Sequence, residues 1–132
     1  MLVDFDHIAE SNTNRQLHAV EGQYGKAKVE AMTQRILQIN PEINITACDE
    51  FLEPENLDRI IPADAYVLDA TDSVQTKIAL SVWSRSNNRA LVMCGAAGGK
   101  TDPTSVRCDD LSRTEQDALL AKVRQGLRQD HG

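Results

Sequence analysis

The chain has 132 residues, of which 41% are hydrophobic and 26% are charged. This is enough for one domain with a real core, and because aromatic residues make up only 4%, the core must be aliphatic. The net charge of −6 excludes a broad basic surface, and with it strong non-specific binding of nucleic acid by the chain alone. A nucleic acid held at a local patch is not excluded.

The three cysteines are widely spaced, which indicates neither a disulfide framework nor a zinc site. No apolar run approaches membrane-spanning length, and the first residues lack the pattern of a signal peptide. We therefore expect a cytoplasmic protein with no membrane partner.

The first element is a short apolar strand, Leu2–Asp4, that ends in a carboxylate. A buried parallel strand that ends this way can present its carboxylate to the two hydroxyls of a ribose. Asn12, Arg15 and Gln16 follow, and the planar guanidinium of Arg15 matches phosphate oxygens. The stretch is typical of half a nucleotide site, although an aspartate after a strand is also a common turn starter. His18 is expected to be a solvated loop histidine.

The clearest helix opens near Gly25, and Asn40-Pro41 ends it. Its predicted buried face recurs every three to four residues and comprises Val29, Met32, Ile36 and Ile39. Lys28 lies in the first turn, where a cation is unfavourable unless a phosphate is bound nearby. A plain surface lysine is the alternative, since Lys26 is close by.

The rest of the chain alternates strands with helices. The predicted strands are Ile43–Cys48, Ala65–Asp69, Ala90–Cys94 and a short one over 104–108, and the predicted helices are a short one from Pro54 to Ile61, one from Val74 to Asn87 and one from Ser112 to Gln129. The second helix is expected to bury Ile78, Ala79, Val82 and Trp83, and the last to bury Leu119, Leu120, Val123 and Leu127. This alternation predicts an α/β fold, a Rossmann-like parallel sheet with helices on both faces.

Polar and small residues follow two of these strands. Asp69 and Asp72 come at the end of one, and either could face magnesium or a polyphosphate. The other possibility for Asp72, shared with Ser73, is to cap the next helix. The run Gly95–Gly99 after the next strand would let a ligand approach, and it equally suits a plain turn.

Taken together, four short motifs resemble the ATP-dependent adenylyltransferases related to ubiquitin-activating enzymes. They are Leu2-Val3-Asp4-Phe5-Asp6, Ser11-Asn12-Thr13-Asn14-Arg15-Gln16, Gly25-x-x-Lys28 and Leu68-Asp69-Ala70-Thr71-Asp72-Ser73. Within that superfamily the chain is most similar to the tRNA threonylcarbamoyladenosine dehydratases. Further residues carry this likeness, namely Gln38-Ile39-Asn40-Pro41 and Gly98-Gly99-Lys100-Thr101-Asp102-Pro103-Thr104.

The resemblance implies ATP-dependent cyclisation of threonylcarbamoyladenosine in tRNA through an adenylylated carboxylate, with ATP and Mg²⁺ as cofactors. Carried over by motif, Asp4 holds the ribose, Asn12, Arg15 and Lys28 hold the phosphates, and Gln16 belongs to the same set. Asp72 holds the magnesium ion or the phosphate end of the site, and Arg15, Lys28 and Asp72 are the implied catalytic residues. Phe51 is implied as a neighbour of the adenine.

The family places a Gly-rich loop and its strand before the equivalent of Leu2, and this sequence shows neither. Residues 1–132 are thus expected to be a partial ThiF-type nucleotide-binding domain that lacks the first strand of a 3-2-1-4-5 sheet. The strands present are then two, three, four and five, which predicts two half-sheets with open inner edges. Both ends of the chain are expected to be truncated, and its activity alone to be weak or absent.

Two other functions stay open. A sibling adenylyltransferase would activate the C-terminus of a ubiquitin-like sulfur carrier. For either enzyme, a sulfur carrier or a cysteine desulfurase is an expected pathway partner. A non-catalytic nucleotide-binding remnant would keep the shape alone. Members of the superfamily commonly work as dimers, so the resemblance also implies a homodimer.

Overall fold

The structure is a computed structural model that describes residues 1–130, and these form two compact units, Met1–Leu52 and the described residues from Glu53 onward. The strands are β1 (Leu2–Val3), β2 (Ala47–Cys48), β3 (Val67–Asp69) and β4 (Leu91–Met93). The α-helices are α1 (Lys28–Ile39), α2 (Leu57–Ile60), α3 (Val74–Ser86) and α4 (Ala118–Asp130). Three 3₁₀ turns lie at Glu10–Asn12, Pro103–Ser105 and Leu111–Arg113.

The first unit is built on a parallel pair of strands. Leu2 lies opposite Ala47 and Val3 opposite Cys48, and α1 contacts both strands. The helix buries Val29 and Ala31, while Ile39 is 70% exposed, so the prediction that Ile39 is buried was wrong. Ile39 is exposed because α1 is longer than the strands that it covers: a twelve-residue helix runs about 18 Å, whereas a two-residue strand spans about 7 Å.

The second unit repeats the arrangement with β3 and β4. Its register pairs Val67 with Leu91, Leu68 with Val92 and Asp69 with Met93, all parallel. The pairing predicted for the strands is confirmed: strand two pairs with three, strand four with five, and each sheet within residues 1–130 has two strands. The predicted α/β, Rossmann-like character of the chain is likewise confirmed.

Helix α3 presents a different face from the one predicted. Trp83 is buried as expected, but the other residues that α3 buries are Lys77, Leu80 and Ser84. Ile78, Ala79 and Val82 instead line a groove of about 490 Å³ beside Leu57 and Trp83. The helix is turned this way because Lys77 reaches the buried carboxylate of Asp69, an interaction that an apolar periodicity cannot reveal.

The predicted strand over 104–108 was wrong, because Asp102 caps a 3₁₀ turn there. Its carboxylate accepts the Thr104 N–H at 2.9 Å, and Pro103 supplies the fixed φ of the first turn position. The last helix begins at Ala118, six residues later than predicted from Ser112, since Gln116 has a φ of +55° that no helix accommodates. The predicted buried face of this helix is confirmed at Leu120 and Val123, which are both buried.

Within residues 1–130, no helix is both long enough and apolar enough to cross a bilayer.

Candidate functional site

In the first unit, Asp6 joins two residues that the sequence assigned to different parts of a nucleotide. Asp4 follows β1, and its Oδ1 accepts the backbone N–H of Asp6 at 2.8 Å. Lys28 donates its own backbone N–H to the Asp6 carbonyl at 2.9 Å, and its Nζ pairs with Asp6 Oδ2 at 2.7 Å. The candidate ribose and phosphate residues are thus held by one aspartate. Asp6 was not predicted, although its place two residues after Asp4 was the available signal.

The environment of Lys28 suits an anion. Its side chain is only 13% exposed, while that of its partner Asp6 is 63% exposed. An ammonium group has three donors, so Lys28 can bind a phosphate oxygen while it keeps the Asp6 contact. A partly buried cation is screened less by solvent than one on the surface, which strengthens its attraction for phosphate.

His18 lies near these groups and is not the solvated histidine predicted. The residue is half-buried, and neither ring nitrogen is accessible to solvent or has a hydrogen-bond partner within residues 1–130. Burial lowers the pKa of His18, and the positive charge of Lys28 lowers it further, while the Asp4 carboxylate acts in the opposite direction. His18 therefore lies within electrostatic range of both candidate nucleotide residues.

The lowered pKa of His18 predicts a pH-dependent stability. Below about pH 6.5 the unfolded chain binds a proton that the folded chain resists, so stability falls as pH drops from there toward the folded-state pKa. We expect the urea midpoint of the wild type to fall more between pH 7.5 and pH 5.5 than that of His18→Gln. The same change at the exposed His7 serves as the control, and equal slopes for wild type and His18→Gln would contradict the prediction.

The loop that carries Asn12, Arg15 and Gln16 is shaped by Asn12. This side chain is buried, and its Oδ1 accepts the Ala9 N–H at 3.1 Å. The Asn12 carbonyl accepts the backbone N–H groups of Arg15 and Gln16 at 3.1 and 2.9 Å. Asn12 thus has a structural part beside the phosphate-binding one implied by the motif. These two backbone hydrogen bonds also fix where the side chains of Arg15 and Gln16 leave the loop.

Arg15 and Gln16 differ in exposure. Arg15 is exposed, and one guanidinium nitrogen donates to the Ser11 carbonyl and to Asn14 Oδ1, each at 3.0 Å. Because a guanidinium has five N–H donors, Arg15 can still bind an anion in a bidentate manner. Gln16 is half-buried, and its Oε1 has no hydrogen-bond partner within residues 1–130.

Removal of the Asn12 amide should loosen this loop. Asn12→Ala leaves the Ala9 N–H without its acceptor, which we expect to cost about 1–2 kcal/mol of unfolding free energy. Urea denaturation measures the loss, and the exposed Asn44→Ala is the matched control. A difference below about 0.5 kcal/mol between the two variants, the scatter of ordinary surface substitutions, would show that the bond does not stabilise the loop.

Phe51 is placed beside another aromatic ring. The ring centroids of Phe5 and Phe51 are 4.4 Å apart at an interplanar angle of 37°. Phe51 is 61% exposed and Phe5 46% exposed, so the pair offers an accessible aromatic surface. Such a surface can stack on an adenine, which is the part the sequence assigns to Phe51.

In the second unit, Asp69 and Asp72 differ in burial and in their partners. The Asp69 carboxylate is fully buried, where Oδ1 accepts the Thr71 N–H at 2.9 Å and Oδ2 lies 3.1 Å from Lys77 Nζ. Asp72 is exposed. The helix cap is Ser73, whose hydroxyl accepts the Thr76 N–H at 3.2 Å, so Asp72 is not needed for capping. Asp72 is therefore the carboxylate available to a ligand.

A single carboxylate fits the predicted Mg²⁺ only if the nucleotide supplies further ligands. Among residues 1–130, no three His, Cys, Asp or Glu side chains are grouped so that they could hold a metal ion. Mg²⁺ is usually bound by one or two carboxylates together with phosphate oxygens and water. Asp72 suits that mode of binding.

Known proteins resemble the chain over nearly its whole length. It is 46% identical over 132 residues to the tRNA threonylcarbamoyladenosine dehydratase of Escherichia coli (strain K12), covering 99% of this chain and 49% of that protein. The crystal structure of the E. coli tRNA N6-threonylcarbamoyladenosine dehydratase in complex with ATP matches with a TM-score of 0.92 at 44% identity, covering 98% of this chain and 54% of that one. The chain spans about half the length of the curated relatives it matches.

A second kind of relative matches less of the chain. The molybdopterin-synthase adenylyltransferase of Haemophilus influenzae is 40% identical over 76 residues, which are 58% of this chain and 31% of that protein. The family match itself runs over residues 1–126. The chain belongs to the ThiF family.

Proposed function

We propose that the chain acts in the ATP-dependent cyclisation of threonylcarbamoyladenosine in tRNA, as part of a dehydratase. The observation that carries the proposal is the network of Asp4, Asp6 and Lys28, which places a carboxylate and a partly buried cation at the end of β1. Its support from relatives is the 46% identity to an E. coli dehydratase over 99% of the chain.

The proposed chemistry has two steps. A carboxylate oxygen of the threonine moiety attacks the α-phosphorus of ATP, and the bond to pyrophosphate breaks. A nitrogen of the same group then attacks the activated carbonyl carbon, which closes the ring and releases AMP. Together the steps remove one water from the nucleoside, and its oxygen leaves in AMP.

The residues proposed for this reaction bind and orient rather than transfer protons. Asp4 accepts hydrogen bonds from the ribose hydroxyls, and Lys28 and Arg15 neutralise phosphate charge, which favours departure of pyrophosphate. Holding the nucleotide in line with the carboxylate adds the advantage of orientation. Asn12 and Gln16 complete the phosphate-binding loop, Phe51 contacts the adenine, and Asp72 would hold a Mg²⁺ ion that neutralises phosphate charge.

The alternative is activation of the C-terminus of a ubiquitin-like sulfur carrier. The adenylyltransferase relative of that kind matches 58% of the chain, against 99% for the dehydratase, and this difference favours the tRNA substrate. A sulfur carrier or a cysteine desulfurase is proposed as a further pathway partner. We also propose that residues 1–132 are a partial nucleotide-binding domain and that the protein is a cytoplasmic homodimer. Sedimentation velocity tests the dimer.

The nucleoside product tests the proposal most specifically. The chain would be incubated with MgATP and tRNA that carries threonylcarbamoyladenosine, and the tRNA digested and analysed by mass spectrometry. We expect a nucleoside lighter by one water, formed only when ATP is present. An unchanged nucleoside, in a sample that binds ATP, would favour the sulfur-carrier alternative or a non-catalytic remnant.

A further inference from the structure

The loop from Gly95 to Lys100 lies at the same end of the second unit's sheet as Asp72. Strands β3 and β4 are parallel, so the residues that follow each strand leave at the same edge. The backbone N–H of Cys94 donates to the Asp69 carbonyl at 2.8 Å, which holds the start of the loop beside the end of β3. Ligands of parallel α/β sheets bind at this edge.

Asp117 anchors that loop from the start of α4. Its side chain is only 5% exposed, and its carboxylate accepts the backbone N–H of Ala96 at 3.0 Å and the ammonium of Lys100. Its other oxygen accepts the Leu120 N–H at 2.9 Å, which caps the helix. A Cβ added at Gly95 would overlap the Asp117 carboxylate, so glycine there allows the loop to approach.

The same contacts stabilise the ionised form of the Asp117 carboxyl group. Burial raises the pKa of its carboxyl group, but the hydrogen bonds from Leu120, Lys100 and Ala96 and the charge of Lys100 lower it by more. The net effect is a pKa below the ordinary value for aspartate. Asp117 is thus a buried anion whose partners come from the loop as well as from the helix.

A helix cap alone does not need this arrangement. Asp110 caps the turn Leu111–Arg113 by accepting the Ser112 N–H at 2.9 Å, and it does so at the surface. Asp117 makes the equivalent bond to Leu120 and two further contacts, both to the loop after β4. The additional contacts fix the loop to a rigid element, as a precise binding site requires.

We infer that Asp117 is a positioning residue, which holds the loop Gly95–Lys100 at the sheet edge so that the loop orients the reacting group beside Asp72. The inference rests on the proposed function. Because Asp72 is assigned to the phosphate end of the nucleotide, the loop should affect the orientation of the reacting groups more than the binding of the adenosine. A loss of positioning therefore lowers kcat and leaves the KM for ATP nearly unchanged.

Two substitutions separate positioning from capping. Asp117→Asn keeps an excellent helix cap but removes the charge that holds Lys100, and Lys100→Met removes the ion pair without touching the cap. The matched control is Asp110→Asn, which makes the same change in net charge at an exposed cap. The measurement is ATP-dependent pyrophosphate release by the whole chain with tRNA that carries threonylcarbamoyladenosine.

We expect kcat to fall about tenfold in Asp117→Asn and Lys100→Met, with the KM for ATP within about twofold of wild type, since small misplacements cost up to about 100-fold. Asp110→Asn should match the wild type. If both test variants match the control, the assignment of Asp117 is overturned while the proposed function stands. If Asp117→Asn fails to fold, a normal kcat in Lys100→Met overturns it. A folded wild type that releases no pyrophosphate overturns the proposed function and this assignment together.

Discussion

Lys77→Met is expected to lower the free energy of unfolding by about 3–5 kcal/mol, the usual cost of removing one partner from a buried ion pair. The side chains of Lys77 and Asp69 are both fully buried, with 3.1 Å between Nζ and Oδ2. Neither of these two atoms makes a hydrogen bond within residues 1–130, so each depends on the other for compensation of its charge. Methionine fills a similar volume and leaves the Asp69 charge without its partner.

Urea denaturation followed by circular dichroism measures this loss. Lys122→Met, on the exposed face of α4, is the matched control and should change stability by less than about 0.5 kcal/mol. The double variant Asp69→Asn/Lys77→Met removes both charges and should recover part of the loss. A Lys77→Met chain as stable as the control would show that the pair is not buried in solution as it is in the structure.

Lys28→Met should weaken the binding of ATP by about 10–100-fold. A hydrogen bond to a charged group contributes about 1.5–3 kcal/mol, and every 1.4 kcal/mol is a factor of about ten in Kd. The effect should be on binding rather than folding, because the Asp6 carboxylate that Lys28 leaves behind is 63% exposed and remains hydrated.

The control for this variant is Lys26→Met, which removes the same charge two residues earlier from an exposed position. Isothermal titration calorimetry with MgATP gives both Kd values, and the rise of melting temperature with nucleotide is an independent check. If the two variants bind ATP equally well, Lys28 is the plain surface lysine that its neighbour Lys26 allowed as an alternative.

The order of elements was predictable because it depends on local signals. Apolar runs ended by Asp4 and Asp69 identified strands, and Asn40-Pro41 identified the end of α1. Polar residues after two strands pointed to the sheet edge, and Asp72 was among them. The alternation of strands and helices indicated a parallel sheet, and the family resemblance added which strands pair and the nature of the ligand.

Contacts between distant residues were not predictable. The pairing of Lys77 with Asp69 reversed the expected face of α3, because a hydrophobic periodicity treats lysine as an exposed residue. Asp117 lay within the helix predicted from Ser112 to Gln129 and was not singled out, and only its contacts with Ala96 and Lys100 revealed its part. Asp6 was missed and His18 was misjudged for the same reason: Asp6 pairs with the distant Lys28, and burial, together with the Lys28 charge, lowers the pKa of His18.

The most direct test of the central claim is pyrophosphate release from ATP by the folded chain. Three samples are compared: tRNA that carries threonylcarbamoyladenosine, the same tRNA without the modification, and a purified ubiquitin-like sulfur carrier. We predict release that the modified tRNA alone stimulates and that Lys28→Met reduces. Stimulation by the carrier instead would contradict a role for the chain in dehydration of tRNA, and no release with any of the three would show that the chain keeps the family's fold without its chemistry.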